Sequence, residues 1–166
     1  GAGTPGHFGA AILAREAGLR AEPVHFRSTG DAMTAVLGGD VQGMFGSVAL
    51  VAPQVAAGKL KALATTGPDR SELLPGVPGV RELGLPALAF SAWFGLVAPA
   101  ATPEPVRAEL EAAVRRALAA APVRARMREA GFRVADGDRA AFAALIRDET
   151  ARWAEVVRST GFKAIE

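Results

Sequence analysis

Residues 22–65 read EPVHFRSTGDAMTAVLGGDVQGMFGSVALVAPQVAAGKLKALAT, and the order of signals in this stretch decides the fold. Glu22–Arg27 is a short strand-like run. Ser28-Thr29-Gly30 then leads into a helical stretch, Asp31–Leu37, which Gly38-Gly39 ends. Val41–Phe45 is again strand-like, and Gly46-Ser47 opens a second helical stretch. It runs through Ala57 to Gly58, with Pro53 as a kink inside it. Leu60–Thr65 is a compact apolar strand signal. Upstream, Thr4 is a good N-cap, Pro5 suits the first helical position, and His7–Ala17 is helix-compatible up to Gly18. The alternation helix, strand, helix, strand, helix, strand is the rhythm of an α/β layer with a mainly parallel sheet.

Downstream the pattern changes twice. Residues 67–86 carry Gly67-Pro68, Leu74-Pro75-Gly76, Val77-Pro78-Gly79 and Leu85-Pro86. That punctuation predicts an irregular surface run with one helical turn near Val80–Leu83. Ala87–Val97 reads as a long apolar strand, with Trp93 and Phe94 in the core. Beyond it the chain is nearly all helix. Thr102-Pro103 starts one helix, Pro122 a second that ends at Gly131, and Asp138 caps a long third. Phe132–Val134 reads as a short strand between the last two. In the third helix Phe142, Leu145, Ile146, Trp153, Val156 and Val157 recur at helical spacing and predict a buried stripe.

Composition excludes several classes. The 166 residues are 50% hydrophobic and 22% charged with a net charge of +2, a globular balance. Residues 1–90 hold seven Lys/Arg and seven Asp/Glu, and residues 91–166 hold twelve and ten, so the small surplus lies in the helical half. Neither half has the dense basic stripe of a nucleic-acid binder, and Arg115/Arg116 and Arg124/Arg126/Arg128 read as solvated helix faces. With no cysteine there are no disulfides, thiolate metal sites or thiol nucleophiles. No His/Asp/Glu cluster has metal-ligand spacing, and no cofactor is implied. The opening Gly1-Ala2-Gly3-Thr4-Pro5 has no leader character and reads as the middle of a longer pattern.

Three turns rich in Gly and hydroxyl residues precede helices: Gly1-Ala2-Gly3-Thr4, Ser28-Thr29-Gly30 and Gly46-Ser47. In a parallel α/β layer the ligand crevice lies beyond the carboxyl ends of the strands, where such turns sit. Each helix start offers unpaired N–H groups and about half a positive charge. Converging starts make an anion site without arginine, suited to a carboxylate or phosphate; ordinary βα turns are the simpler alternative. The candidate ligand-binding residues are Gly3, Thr4, His7, Ser28, Thr29, Gly30 and Ser47, with Gly3 and Gly30 as N–H donors. Catalysis has thin support. His7 or His25 could pair with Asp31 or Ser47, but Gly46-Ser47-Val48 is not a nucleophile elbow, and the dinucleotide and P-loop patterns are absent.

Several motifs in order resemble one family. Gly3-Thr4-Pro5-Gly6-His7 is similar to its Gly-Thr-Pro-x-His helix opening. Leu37–Val41 with Met44-Phe45 resembles its LLGGxVDxMF segment, and Ala57–Ala64 its AGKLRALA. Arg70-Ser71 with Leu74–Pro78 resembles RSxxLPxVPT, and Trp93–Pro99 with Thr102-Pro103 resembles WFGLxAPAGTP. Glu149–Trp153 and Gly161-Phe162-Lys163 resemble its final helix and tail. On these motifs the chain resembles the Bug (TctC-like) periplasmic solute-binding proteins of tripartite tricarboxylate transporters.

The resemblance implies a partial type II periplasmic-binding-protein fold, lacking most of the N-terminal lobe. Residues 1–90 would form the second, ligand-binding lobe. Residues 91–166 would supply the hinge strand and a mainly helical segment completing the first lobe. It implies a periplasmic receptor for a small carboxylate, without catalysis, that partners the membrane subunits of a tripartite transporter. It also implies exposed surface that favours a dimer or swapped assembly. Two departures bear on the ligand. Val24–Gly30 replaces the family's VPYKGGA, and Gln42 and Gly46 replace a frequent Asp pair, which tilts the expectation from amino-acid-like ligands toward simple carboxylates. A small α/β hydrolase or transferase, and a non-binding remnant acting in assembly or sensing, are the alternatives.

Overall fold

A computed structural model describes residues 1–162, and Lys163 of the tail motif lies outside the described residues. The helices are α1 (Pro5–Glu16), α2 (Thr29–Gly38), α3 (Val48–Ala56), α4 (Glu104–Ala119), α5 (Ala121–Glu129) and α6 (Arg139–Thr160), with a 3-10 turn over Pro86–Leu88. The sequence signals explain most of the boundaries. The Thr4 side chain caps α1 with Pro5 in its first turn. Ser28 caps α2, which ends at Gly39 with φ of 83°, a left-handed geometry that glycine adopts without strain. The carboxylate of Asp138 accepts the N–H of Ala141 at 2.8 Å and starts α6. At α4 the expected Thr102 cap is replaced by Pro103, which offers no side-chain hydrogen bond.

The strands do not form as expected. Residues 22–27, 41–45, 60–65, 87–97 and 132–134 form no strand ladder, and among the described residues the β-pairing is one parallel bridge between Thr65 and Gly79. Ladders need a neighbour's row of N–H and C=O groups. Here Pro23 cannot donate, and the end of 60–65 pairs with a loop instead: Thr65 N–H donates to the Pro78 carbonyl and Val80 N–H to the Thr65 carbonyl, both at 2.9 Å. The start of 87–97 is taken by the 3-10 turn that Pro86 initiates.

By contact density the chain divides into two units, residues 1–92 with the chain from Ala154 onward, and Trp93–Trp153. The first unit has a small core in which Ile12, Val80 and Leu88 are 3%, 3% and 2% exposed. Leu13, Phe45, Leu85, Ala87, Ala89 and Val156 pack around them. The Pro-rich run is thus not a surface loop: Leu74, Val77 and Val80 are buried. Its apolar residues escape a periodicity reading because prolines and glycines, not a regular helix or strand, set their directions.

An ion pair holds this irregular run. Arg70 donates from Nε and Nη2 to Glu82, at 2.9 Å and 2.6 Å, and from Nη1 to the Pro75 carbonyl at 3.2 Å. Glu82 also accepts the Gly79 N–H at 2.8 Å. The Arg70 hydrogen bonds and that N–H hold the Glu82 carboxyl down at about 2. A depressed carboxyl contributes stability above its unfolded value that is lost as pH falls through the folded one. Acid titration is therefore expected to loosen residues 70–82 between about pH 4 and pH 2. The same titration of Glu82→Gln should lack that phase by amide exchange at Gly79; an unchanged phase would rule the pair out as its source.

Thr65 is buried, and its hydroxyl has no hydrogen-bond partner among the described residues. Removing an unpaired buried hydroxyl while keeping its shape is nearly neutral or stabilising. Thr65→Val is expected to raise unfolding stability by about 1 kcal/mol in urea denaturation, and a loss of that size would mean the hydroxyl is satisfied.

The second unit is tied by charge. Arg139, at the start of α6, donates to Glu104 and Glu111 of α4 at 2.7 Å and 2.6 Å. Its aromatic residues are not core. Trp93 is 42% and Phe94 82% exposed; Trp93 meets Phe142 edge-on at 5.3 Å and Phe94 meets Phe132 edge-on at 5.6 Å between centroids. The α6 stripe is likewise not buried: Leu145 and Ile146 are exposed, and Phe142, Trp153, Val156 and Val157 are half-buried. One helix face is fully covered only when elements pack along its whole length, and α6 is covered in patches.

Candidate functional site

The first of the three turns and the start of α1 meet the segments that lead into the other two. All lie in the first unit. A methyl group on Gly1 would stand 3.9 Å from the Phe26 carbonyl oxygen, two residues before Ser28. One on Gly6 would stand 3.3 Å from Phe45 Cβ, two residues before Ser47. The start of α1 therefore lies against both chain segments that feed α2 and α3.

The hydroxyls divide into engaged and free. Thr4 Oγ1 donates to the Gly1 carbonyl at 2.8 Å and accepts the His7 N–H at 3.3 Å. Ser28 Oγ accepts the Asp31 N–H at 3.1 Å. Ser47 occupies the cap position of α3 yet makes no capping hydrogen bond, which leaves its hydroxyl available. The Gly3 N–H, expected as a ligand donor, donates to His7 Nδ1 at 3.1 Å. The open donors are the first-turn N–H groups, which have no intrahelical acceptor: Gly6 of α1, Thr29 and Gly30 of α2, and Val48 and Ala49 of α3. The sequence reading includes Thr29 and Gly30 but misses Gly6, Val48 and Ala49, although the rule that the earliest helix amides are unpaired would have found them.

His7 is the most constrained side chain of the group. A neutral imidazole that accepts at Nδ1 carries its proton on Nε2, so the Gly3 bond selects a tautomer with an Nε2–H donor. The ring stands edge-on to His25 at 4.8 Å and to Phe162 at 5.3 Å. Burial and the nearby His25 pull its pKa below the ordinary imidazole range, which favours the neutral form. A hydrolytic His needs an acceptor on one nitrogen and a nucleophile on the other; here the Nδ1 position is taken by a main-chain amide.

In the second unit a cavity of about 140 Å³ is lined by Arg115, Arg124 and Asp136 among others. Arg124 already donates there to Asp136 at 2.6 Å and to the Leu118 carbonyl at 3.0 Å. Among the described residues no three His, Asp or Glu side chains are grouped to hold a metal ion, and no helix is long and apolar enough to cross a membrane.

The start of α1 against the segments that feed α2 and α3, followed in the chain by a helical unit, belongs to a partial type II periplasmic-binding-protein fold. Solved structures of that class superpose on the chain. The periplasmic binding protein BugD is 28% identical with a TM-score of 0.82, over 97% of this chain and 55% of its own. MatC from Rhodopseudomonas palustris, with bound malate, is 35% identical with a TM-score of 0.77, over 92% and 53%. In sequence, the UPF0065 protein of the tcbD-tcbE intergenic region of Pseudomonas sp. (strain P51) is 33% identical over 158 residues, which are 95% of this chain and 47% of that protein. The chain thus spans about half the length of these relatives. The tripartite tricarboxylate transporter family receptor (TctC) pattern matches residues 1–162, and the chain belongs to that family.

Proposed function

We propose that the chain carries the second-lobe ligand site of a periplasmic receptor that captures a small carboxylate for a tripartite tricarboxylate transporter. The observation that carries this reading is that the start of α1, with its unpaired Gly6 N–H, lies against the segments feeding the unpaired starts of α2 and α3, the latter with the free Ser47 hydroxyl. Such a set neutralises a carboxylate through fixed dipoles and hydrogen bonds. The malate in the MatC structure supports a dicarboxylate as the ligand class. The Nε2–H of His7 adds a neutral donor to the same turn. In this reading the protein binds and releases its ligand without chemistry. Ligand closes the receptor, and the membrane subunits of the transporter recognise the closed form.

The test is malate titration followed by backbone amide shifts. Gly6, Thr29, Gly30, Val48 and Ala49 should move, and amides of α4 should not. Ser47→Ala is expected to weaken binding by about 0.5–1.5 kcal/mol, the worth of one hydrogen bond, with no change in helix stability, because its hydroxyl caps nothing. Thr4→Val should behave differently: it loses an N-cap, costs about 0.5–2 kcal/mol of stability, and weakens malate by disturbing the turn. Unmoved amides at all three turns would sink the proposal.

A further inference from the structure

The end of the described chain returns to the turn where the ligand is proposed to bind. A methyl group on Gly3 would lie 3.4 Å from Phe162 Cζ. The Phe162 ring meets His7 and Phe8 edge-on, both at 5.3 Å between centroids. A second contact fixes the same pair of elements: Arg15 of α1 donates to Ser159 Oγ of α6 at 3.4 Å, while Val156 packs on the Ile12 core. The last turn of α6 is thus seated along α1, and Phe162 reaches its first turn.

We propose that Phe162 is a positioning residue for the ligand-facing turn: its ring, laid against Gly3, His7 and Phe8, shields the His7 imidazole from water and keeps Nδ1 accepting the Gly3 N–H. The aromatic neighbours Phe8 and Phe162 partly cover His7, and among the described side chains the titratable group facing it is His25. A protonated His7 would lose its acceptor at Nδ1, release Gly3, and place a cation beside His25 and at a helix start, where the dipole opposes it. Shielding by Phe162 works against that event. Gly3 suits the turn because its φ of 73° is one that glycine takes readily, and the ring lies within van der Waals reach of it.

The inference deepens the proposed carboxylate site, and its test separates the two. In the ligand-free chain, NMR titration of His7 and amide exchange at Gly3 are compared in wild type, Phe162→Leu and Phe162→Ala. Phe162→Ala should raise the His7 midpoint toward the ordinary imidazole range and speed Gly3 exchange. Phe162→Leu, which keeps an apolar cover, should do so far less. A packing role alone would lower stability without moving the His7 midpoint, and that outcome would overturn the proposal. With malate as the probe, Phe162→Ala should weaken binding several-fold, most at acid pH; equal affinity in the two proteins would also overturn it. A raised midpoint and faster exchange, together with no malate response even in wild type, would support the hold on the turn and reject the carboxylate reading.

Discussion

Leu88→Ala is expected to destabilise the chain by about 2–5 kcal/mol, the range for deleting a fully buried leucine side chain. At 2% exposed, Leu88 is the most enclosed of the three central core residues, and it packs with Ile12 of α1 and Val80 of the Pro-rich run. Its 3-10 turn is held by Leu88 N–H donating to the Leu85 carbonyl and Ala89 N–H to the Pro86 carbonyl, both at 3.0 Å. The side chain is therefore set by a stiff turn that has little freedom to collapse into the cavity. Urea denaturation of Leu88→Ala beside Leu63→Ala is the check. Leu63 is 72% exposed, so its truncation should stay within about 0.5 kcal/mol. Equal effects would mean that the core lies elsewhere.

Gly95→Ala should strike the second unit. The Phe142 ring stands directly over the α-carbon of Gly95 and occupies the place an alanine methyl would take. The same ring meets Trp93 edge-on. Insertion must push Phe142 off its rotamer, with an expected cost of about 1–3 kcal/mol. Trp93 and Trp153 are the two tryptophans of the chain and both belong to this unit, so their emission reports the change directly. In a Phe142→Ala background the added methyl should cost almost nothing, since neighbours couple. Additive losses in the double variant would show that the strain comes from the backbone at residue 95.

Local chemistry was readable from residue order, and long-range pairing was not. Thr4-Pro5, Ser28, Gly39 and Asp138 mark their helix ends because a cap is decided within four residues. The turns before α1, α2 and α3 followed from the same short-range signals. The strands failed as an expectation because a strand needs a partner that spacing does not name. The burial of Leu74, Val77 and Val80 was hidden by irregular backbone. At the site, Thr4 and Ser28 were visible as hydroxyls, but whether a hydroxyl is spent on a cap or left free, as at Ser47, depends on side-chain geometry. Phe162 was visible only as part of a tail motif, since its contact with Gly3 joins residues far apart in sequence.

That last contact bears on how the protein is made. The first unit is assembled from residues 1–92 and from the chain after Ala154, with Trp93–Trp153 inserted between. During synthesis, α1 leaves the ribosome long before Val156, Ser159 and Phe162, and a chain emerges at only about 5–20 residues per second. The growing polypeptide must carry an unfinished core for seconds while the inserted helices fold locally. Completion then waits on a loop closure across the whole insert, a contact pattern of the kind that slows folding. A nascent chain of this design has its greatest need of chaperone protection just before Val156, Ser159 and Phe162 appear.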